Sequence, residues 1–284
     1  MATIIPISDP GDPRLSDYRA IREAHLRAGG GEGGGGGRGA GYPGPFIAEG
    51  EVVVRQLVEA GLAVRSVLTT LARLRTVEDA LARLPEATPV YTVEQGVMNT
   101  VAGFNIHRGL LASGERPAPR DPRALLAAAR AAVVLEDLAN HDNVGGIFRA
   151  AAALIGPSHA AVLYSPRTCD PFYRKAIRVS VGTALRVPSA RLDPWPEALS
   201  VVREAGFTLV ALTPHPAATP LDRLPPVPRP ALLLGAEGPG LSGAALARAD
   251  LRVRIPIAPE VDSLNVAVAA AIALHRLCPA PGAS

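Results

Sequence analysis

The chain has 284 residues, a net charge of +3, 48% hydrophobic and 19% charged residues, a balance that supports a sizeable core and excludes global disorder. Two distant cysteines, Cys169 and Cys278, argue against a zinc site or a disulfide framework and fit reduced thiols in a cytoplasmic protein. Lys175 is the only lysine among 29 basic residues; arginine's planar fork suits phosphate, although GC-rich coding explains the same bias. No apolar run follows a basic start, so no signal peptide is expected, and Val266–Leu274 is too short to span a bilayer.

SDYRAIREAHLRAG, Ser16–Gly29, reads as a short basic helix whose Arg19, Arg22 and Arg27 contact RNA or line a solvated face. The glycine tract Gly29–Gly41 cannot repay its ordering entropy, so residues 1–45 are expected as a tail and linker. Residues 46–113 then alternate. A helix is expected over Ile47–Gly61, a strand over Ala63–Thr70, and a helix through Leu74, Val77, Leu81 and Leu84. A strand PVYTV, a short helix Gln95–Val101 and a strand Gly109–Ala112 follow.

GERPAPRDP, Gly114–Pro122, breaks the pattern and marks a boundary, with residues 114–128 as linker. A second α/β run fills 129–284. Its strands are expected at Ala131–Asp137, His159–Ser165, Phe207–Thr213, Ala231–Gly235 and Leu251–Ile257. Its helices are expected at Asn143–Gly156, Pro171–Val179, Trp195–Ala205, Ser242–Ala249 and Ser263–Leu277. Strands so continuously apolar suit a parallel sheet covered on both faces.

Three loops lie beyond carboxyl ends of these strands, where open α/β sheets place ligands. In EDLANHDNVGG, Asn143 reads as an N-cap, and helical spacing puts Arg149 on one face with Gly145, Gly146, Ala152 and Ala153. That arginine either pairs with Glu136 or Asp137 or reaches toward an anionic substrate. Gly235, Gly238 and Gly240 form a tight loop around Pro239, with Glu237 its only charge; it matches neither GxGxxG nor a P-loop. In Ile255–Ala267, Asp262 or Ser263 caps the last helix, which leaves Asn265, expected to be buried beside an apolar run, without a role. Backbone groups in such loops suit a neutral purine or an amino-acid moiety.

NVGGIFRAA, LLLGAEGPGLS and IP…SLNVAVA, in this order over roughly Ala131–Leu277, resemble the three signature motifs of the SpoU (trmH-type) RNA 2′-O-ribose methyltransferases of the SPOUT superfamily. FIAEGEVVVRQLVEAG and FNIHRGLLA resemble the substrate-binding domain often fused to them. The resemblance implies a C-terminal, mostly parallel sheet with helices on both faces and a deep trefoil knot. It also implies a smaller N-terminal α/β, ribosomal-protein-like RNA-binding domain. S-adenosylmethionine would be the cofactor and tRNA or rRNA the substrate of a cytoplasmic homodimer, with no metal and no membrane. By the same resemblance Arg149, Asn143, Glu237, Ser263 and Asn265 would be catalytic. Leu212, Thr213, Gly235, Gly240, Ile255, Ile257 and Leu264 would contact the cofactor. The family proposal makes the arginine a general base, but a side chain with a pKa above ~12 is better suited to orienting phosphate and hydroxyl. Pro259 and Ala267 depart from the glycine and small polar residue usual in the family. The alternative is a non-catalytic RNA-binding or assembly factor that retains the fold.

Overall fold

A computed structural model describes residues 3–19, 21 and 44–278. Arg22, Arg27 and the glycine tract lie outside them. The described start of the expected basic helix is a 3-10 turn, Pro13–Tyr18, capped by Asp12, which accepts from the Arg14 amide. The chain divides into two compact units, Met1–Ala118 with Phe172–Leu185, and Pro119–Pro171 with Arg186–Ser284.

The first unit is built on β1 (Thr3–Pro6), β2 (Phe46–Glu49), β3 (Val64–Thr69), β4 (Pro89–Thr92) and β5 (Leu110–Gly114), in the order β1-β4-β3-β5-β2. Only β5 runs against the others. The expectation of a tail before residue 46 is corrected at β1, which pairs with β4 from Thr3↔Pro89 to Pro6↔Thr92. Thr3, Ile4 and Ile5 are β-branched and suit an edge strand, but four residues are too few to show a period. The expected helix from Ile47 is also corrected. Phe46–Glu49 is a fully buried strand, and the chain breaks at Gly50, φ 90°, before α1 (Glu51–Glu59). Only glycine adopts that backbone readily, and the Arg108 side chain crosses it so closely that it would have to move to admit a Cβ. α2 (Leu71–Leu81) and α3 (Gln95–Ala102) complete the unit's N-terminal part.

Two cores cover the two sheet faces. Leu15, Tyr18, Leu68, Tyr91, Met98 and Leu111 form one. Phe46, Val53, Leu57, Val67, Val77 and Val90 form the other, joined by Ile177 and Leu185. The helix Arg174–Val179 therefore packs in this unit, although it lies between strands of the second unit in sequence. Arg174 stands 4.7 Å from the Phe104 ring centroid and ion-pairs with the buried carboxylate of Glu49.

The second unit is a seven-stranded, wholly parallel sheet. Its strands are β6 (Ala131–Leu135), β7 (Ala160–Tyr164), β8 (Ser189–Arg191), β9 (Thr208–Leu212), β10 (Thr219–Pro220), β11 (Pro230–Leu234) and β12 (Leu251–Arg254). They order as β10-β12-β9-β11-β6-β7-β8. The central β6 and β11 are buried at every position, as strands covered on both faces must be. α4 (Pro122–Ala128), α7 (Leu199–Glu204) and α8 (Gly243–Leu246) bring Leu126, Leu199, Val202 and Ala245 against Ala132, Val134, Leu163, Leu209 and Leu233. Val133, Val162, Val210 and Leu232 alternate with these along their strands and face the other side. There α5 (His141–Leu154) and α9 (Val266–Leu277) pack on each other and on β7 and β11; Arg174–Val179 takes the label α6. The supposed linker 114–128 is corrected at α4, where Asp121 caps the helix, Pro122 opens it and Leu126 is buried.

Candidate functional site

The three loops follow β6, β11 and β12, whose carboxyl ends point the same way because the sheet is parallel. In the first loop the helix starts earlier than the sequence indicates. Asn140, not Asn143, is the N-cap and accepts from the Asp142 amide at 2.9 Å. Two polar residues of cap type stand three apart, and the first takes the role. Asn143 is thereby turned inward, 3% exposed, with a side-chain amide that must find partners elsewhere.

It finds them on the other two loops. Its Nδ2 donates to Glu237 Oε1 at 2.6 Å, and its Oδ1 accepts from Asn265 Nδ2 at 2.8 Å. Asn265 Nδ2 also stands 3.4 Å from Glu237 Oε1, which closes a triangle drawn from all three loops. Asn265 is itself the cap of α9, its Oδ1 accepting from the amides of Ala267 and Val268. This corrects two expectations: neither Asp262 nor Ser263 caps α9, and Asn265 is exposed rather than buried. Ser263 is exposed, and its hydroxyl has no hydrogen-bond partner among the described residues, so the structure does not bring it into the triangle.

Arg149 lies on the exposed face of α5 with Ala153, while Val144, Ile147, Phe148 and Ala151 on the opposite face are buried. Among the described residues its guanidinium has no hydrogen-bond or ion-pair partner. The pairing with Glu136 or Asp137 does not occur because both carboxylates are committed. Asp137 accepts from Ser165 and ion-pairs with Arg167. Burial works against its charge, but those two partners outweigh it and hold the carboxyl below its usual range. Gly146 serves packing: a Cβ there would fall 2.9 Å from the Cβ of Ala267 on α9. The same contact gives a reason for so small a residue at position 267.

Sequence reasoning offered Glu136 only as a partner for Arg149 and missed its role in holding a loop; it is 3% exposed. Its carboxylate accepts from Trp195 Nε1 at 2.7 Å, from the Ser242 amide at 2.8 Å and from Ser242 Oγ at 2.7 Å. Ser242 in turn caps α8 through the Ala245 amide. The loop carrying Glu237 is thus fastened at its far end to the tip of β6. A glutamate directly after a fully apolar strand was the available signal.

Of the residues that the resemblance links to a cofactor, Gly235 and Gly240 meet each other. A Cβ on Gly235 would fall 2.2 Å from the Gly240 carbonyl carbon, and the Gly240 amide donates to Ala236 O at 3.0 Å. Loop closure alone therefore demands glycine at 235. Leu212 ends β9, and the Thr213 amide donates to Val253 O at 2.9 Å. Ile255, Ile257 and Leu264 remain partly exposed apolar residues on the loop after β12. Among the described residues no cluster of His, Cys, Asp or Glu is arranged to hold a metal ion, and no helix is long and apolar enough to cross a membrane.

The SpoU rRNA Methylase family model matches residues 130–275. A Mycobacterium tuberculosis (strain H37Rv) protein, named an uncharacterized tRNA/rRNA methyltransferase, is 41% identical over 273 residues, covering 95% of this chain and 90% of its own. A Bacillus subtilis protein, named a 23S rRNA (guanosine-2′-O)-methyltransferase, is 30% identical over 156 residues, covering 55% of this chain and 61% of its own. The crystal structure of an AdoMet-bound rRNA methyltransferase from Sinorhizobium meliloti superimposes with a TM-score of 0.74 at 22% identity, covering 96% of this chain and 97% of that one. The matched model spans the three loops just described, and the chain belongs to the SpoU rRNA methylase family.

Proposed function

We propose that the protein is an S-adenosylmethionine-dependent methyltransferase that methylates a ribose 2′-OH of tRNA or rRNA. The observation that carries this is a hydrogen-bonded triangle joining three strand-end loops, with an unpaired arginine exposed on one of the same elements. The names of the mycobacterial and Bacillus relatives support the RNA class and the 2′-O position. Partly exposed Ile255, Ile257 and Leu264, beside the closed loop at Gly235 and Gly240, fit an adenosine moiety, which needs apolar faces and backbone hydrogen bonds at its edge. When bound, S-adenosylmethionine supplies a sulfonium methyl group open to attack by an oxygen.

The chain's own residues then have distinct tasks. Arg149 grips the phosphate next to the target ribose and holds the hydroxyl in line, stabilising negative charge on that oxygen as its proton leaves to solvent or to the same phosphate. Permanent protonation makes this role more suitable than that of a base. Asn143, Glu237 and Asn265 hold the three loops in register, and Ser263, exposed outside that triangle, is a substrate contact. The chain through β9, β11, β12 and α9 forms the deep trefoil knot of the superfamily. Val268 and Ile272, exposed one turn apart on α9, provide an apolar strip for a second copy, giving a homodimer. The first unit binds RNA, and the enzyme works in the cytoplasm.

Calorimetry with S-adenosylmethionine, followed by mapping of ribose methylation in RNA from cells with and without the gene, tests this reading. Binding together with one or more ribose methylations lost on deletion is the expected result. No binding and no change in methylation would leave a non-catalytic RNA factor in its place.

A further inference from the structure

Glu136 is a buried titratable residue that the proposed reaction leaves without a task. Its backbone amide donates to Leu234 O at 2.8 Å, and its carboxylate accepts from the amide and the hydroxyl of Ser242. Leu234 ends β11, and Ser242 is the cap of α8. One residue at the tip of β6 therefore grips both ends of the loop Gly235–Ser242.

That loop has much freedom to lose. Gly238 and Gly240 stand at φ 85° and 70°, and glycine gives up more conformational entropy on ordering than any other residue. Within the loop, a bridge between Ala236 and Gly240 closes the turn. Glu237 ties its outer part to Asn143. The end at Ser242 is tied by Glu136.

The two carboxylate oxygens divide their donors. Oε1 accepts from Trp195 Nε1 and from Ser242 Oγ, and Oε2 accepts from the Ser242 amide alone. Among the described residues no cation forms an ion pair with Glu136. A buried charge held by neutral donors is stable while each donor is in place and costly once one departs. Ser242 cannot swing outward without stranding that charge, so a carboxylate fixes the loop end more firmly than a neutral acceptor would.

We propose that Glu136 is a positioning residue for the cofactor, holding Gly235–Ser242 in its binding shape before S-adenosylmethionine arrives. It acts through Ser242 rather than by touching cofactor or RNA. Ordering the loop in advance spares binding that entropy. The inference rests on the reading of the chain as an S-adenosylmethionine-dependent methyltransferase and adds which residue organises its cofactor loop.

The test uses the full-length protein, with calorimetry for S-adenosylmethionine affinity and amide hydrogen exchange for loop order. Glu136→Gln is nearly isosteric. Its oxygen can replace Oε1, but its NH2 group then meets the Ser242 amide donor to donor. Affinity should fall about tenfold, and the amides of 235–242 should exchange faster while those of β6 and β11 stay protected. In steady-state assays KM for the cofactor should rise about tenfold, with a smaller fall in kcat at saturation. Ser242→Ala keeps the amide bond and loses the hydroxyl, so affinity should fall about threefold. Trp195→Phe leaves both Ser242 bonds, and affinity should stay within about twofold. Trp195 packs against the core, so its variant should nonetheless lose more stability than Ser242→Ala in denaturant unfolding followed by circular dichroism. Affinity and stability are thus expected to rank differently. Wild-type affinity and wild-type loop exchange in Glu136→Gln would overturn the proposal, as would affinity losses that simply follow the unfolding midpoints. If Glu136→Gln does not fold, the same comparison of Ser242→Ala with Trp195→Phe decides. Failure of the unmodified protein to bind S-adenosylmethionine is a separate outcome, which would overturn the enzyme reading and this inference with it.

Discussion

At the strand ends of the second unit, four polar side chains are locked into hydrogen bonds. Asn143, Glu237 and Asn265 satisfy one another, and Glu136 takes three donors from Trp195 and Ser242. Among the described residues the Arg149 guanidinium has no partner, and neither has the buried Nε of Arg254 at the end of β12. At the strand ends of the first unit two helices, α2 and α3, start without a side-chain cap. The first arrangement is organised before any ligand arrives, which is what stabilising a developing charge requires. The second leaves the leading amides of both helices without a side-chain acceptor.

The contrast can be broken from either side. The largest effect on stability is expected from Arg174→Ala. It removes the main partner of Glu49, whose side chain is 8% exposed, leaving only Arg178 at 3.8 Å. Uncovering a buried carboxylate in this way should cost about 3 kcal/mol in denaturant unfolding. Glu237→Ala should come next. The buried amide of Asn143 loses its acceptor, at a cost of about 1–3 kcal/mol, and methyl transfer should fall much further than RNA binding. Equal losses of both would mean that the triangle holds shape and nothing else.

The smallest effect is expected from Arg167→Ala. Arg167 is 82% exposed, so its ion pair with Asp137 should contribute about 0.5 kcal/mol after solvent screening. The pH dependence has a definite sign. The carboxyl of folded Asp137 lies below its usual range, with Arg167 and Ser165 outweighing the opposing effect of burial. Its contribution is therefore present above an unfolded value near ~3.9 and is lost as acidification passes through the lower folded value. Chemical denaturation of both proteins at neutral pH and at acid pH should show the difference shrink with acidification.

The loops were legible because each follows an apolar strand and carries glycine or a polar cap residue, patterns contained within a dozen residues. The triangle was not, because its bonds join residues 94 and 122 positions apart. Asn140 and Asn143 are equally good caps by residue type, and only the packing of the helix decides between them. Similarly, Ser263 and Asn265 compete for the start of α9, and the latter prevails. β2 was hidden inside an apparent helix because the break is a single glycine, Gly50. The segment Phe172–Leu185 shows a further limit. RKAIRV reads as a helix in any context, but only the burial of Ile177 and Leu185 assigns it to the core of the first unit. Truncating residues 1–114 would strip that core, so point substitutions separate RNA binding from cofactor binding more cleanly than a deletion does.

The most direct measurement compares methyl transfer by wild-type and Arg149→Ala protein under single-turnover conditions, with cofactor affinity measured in parallel. Removing an exposed, unpaired cation should leave folding and S-adenosylmethionine binding within about twofold of wild type. The methyl-transfer rate should fall by about a thousandfold or more. A rate close to wild type would show that this guanidinium takes no part in the reaction, and the assignment of the site to methyl transfer at Arg149 would fail.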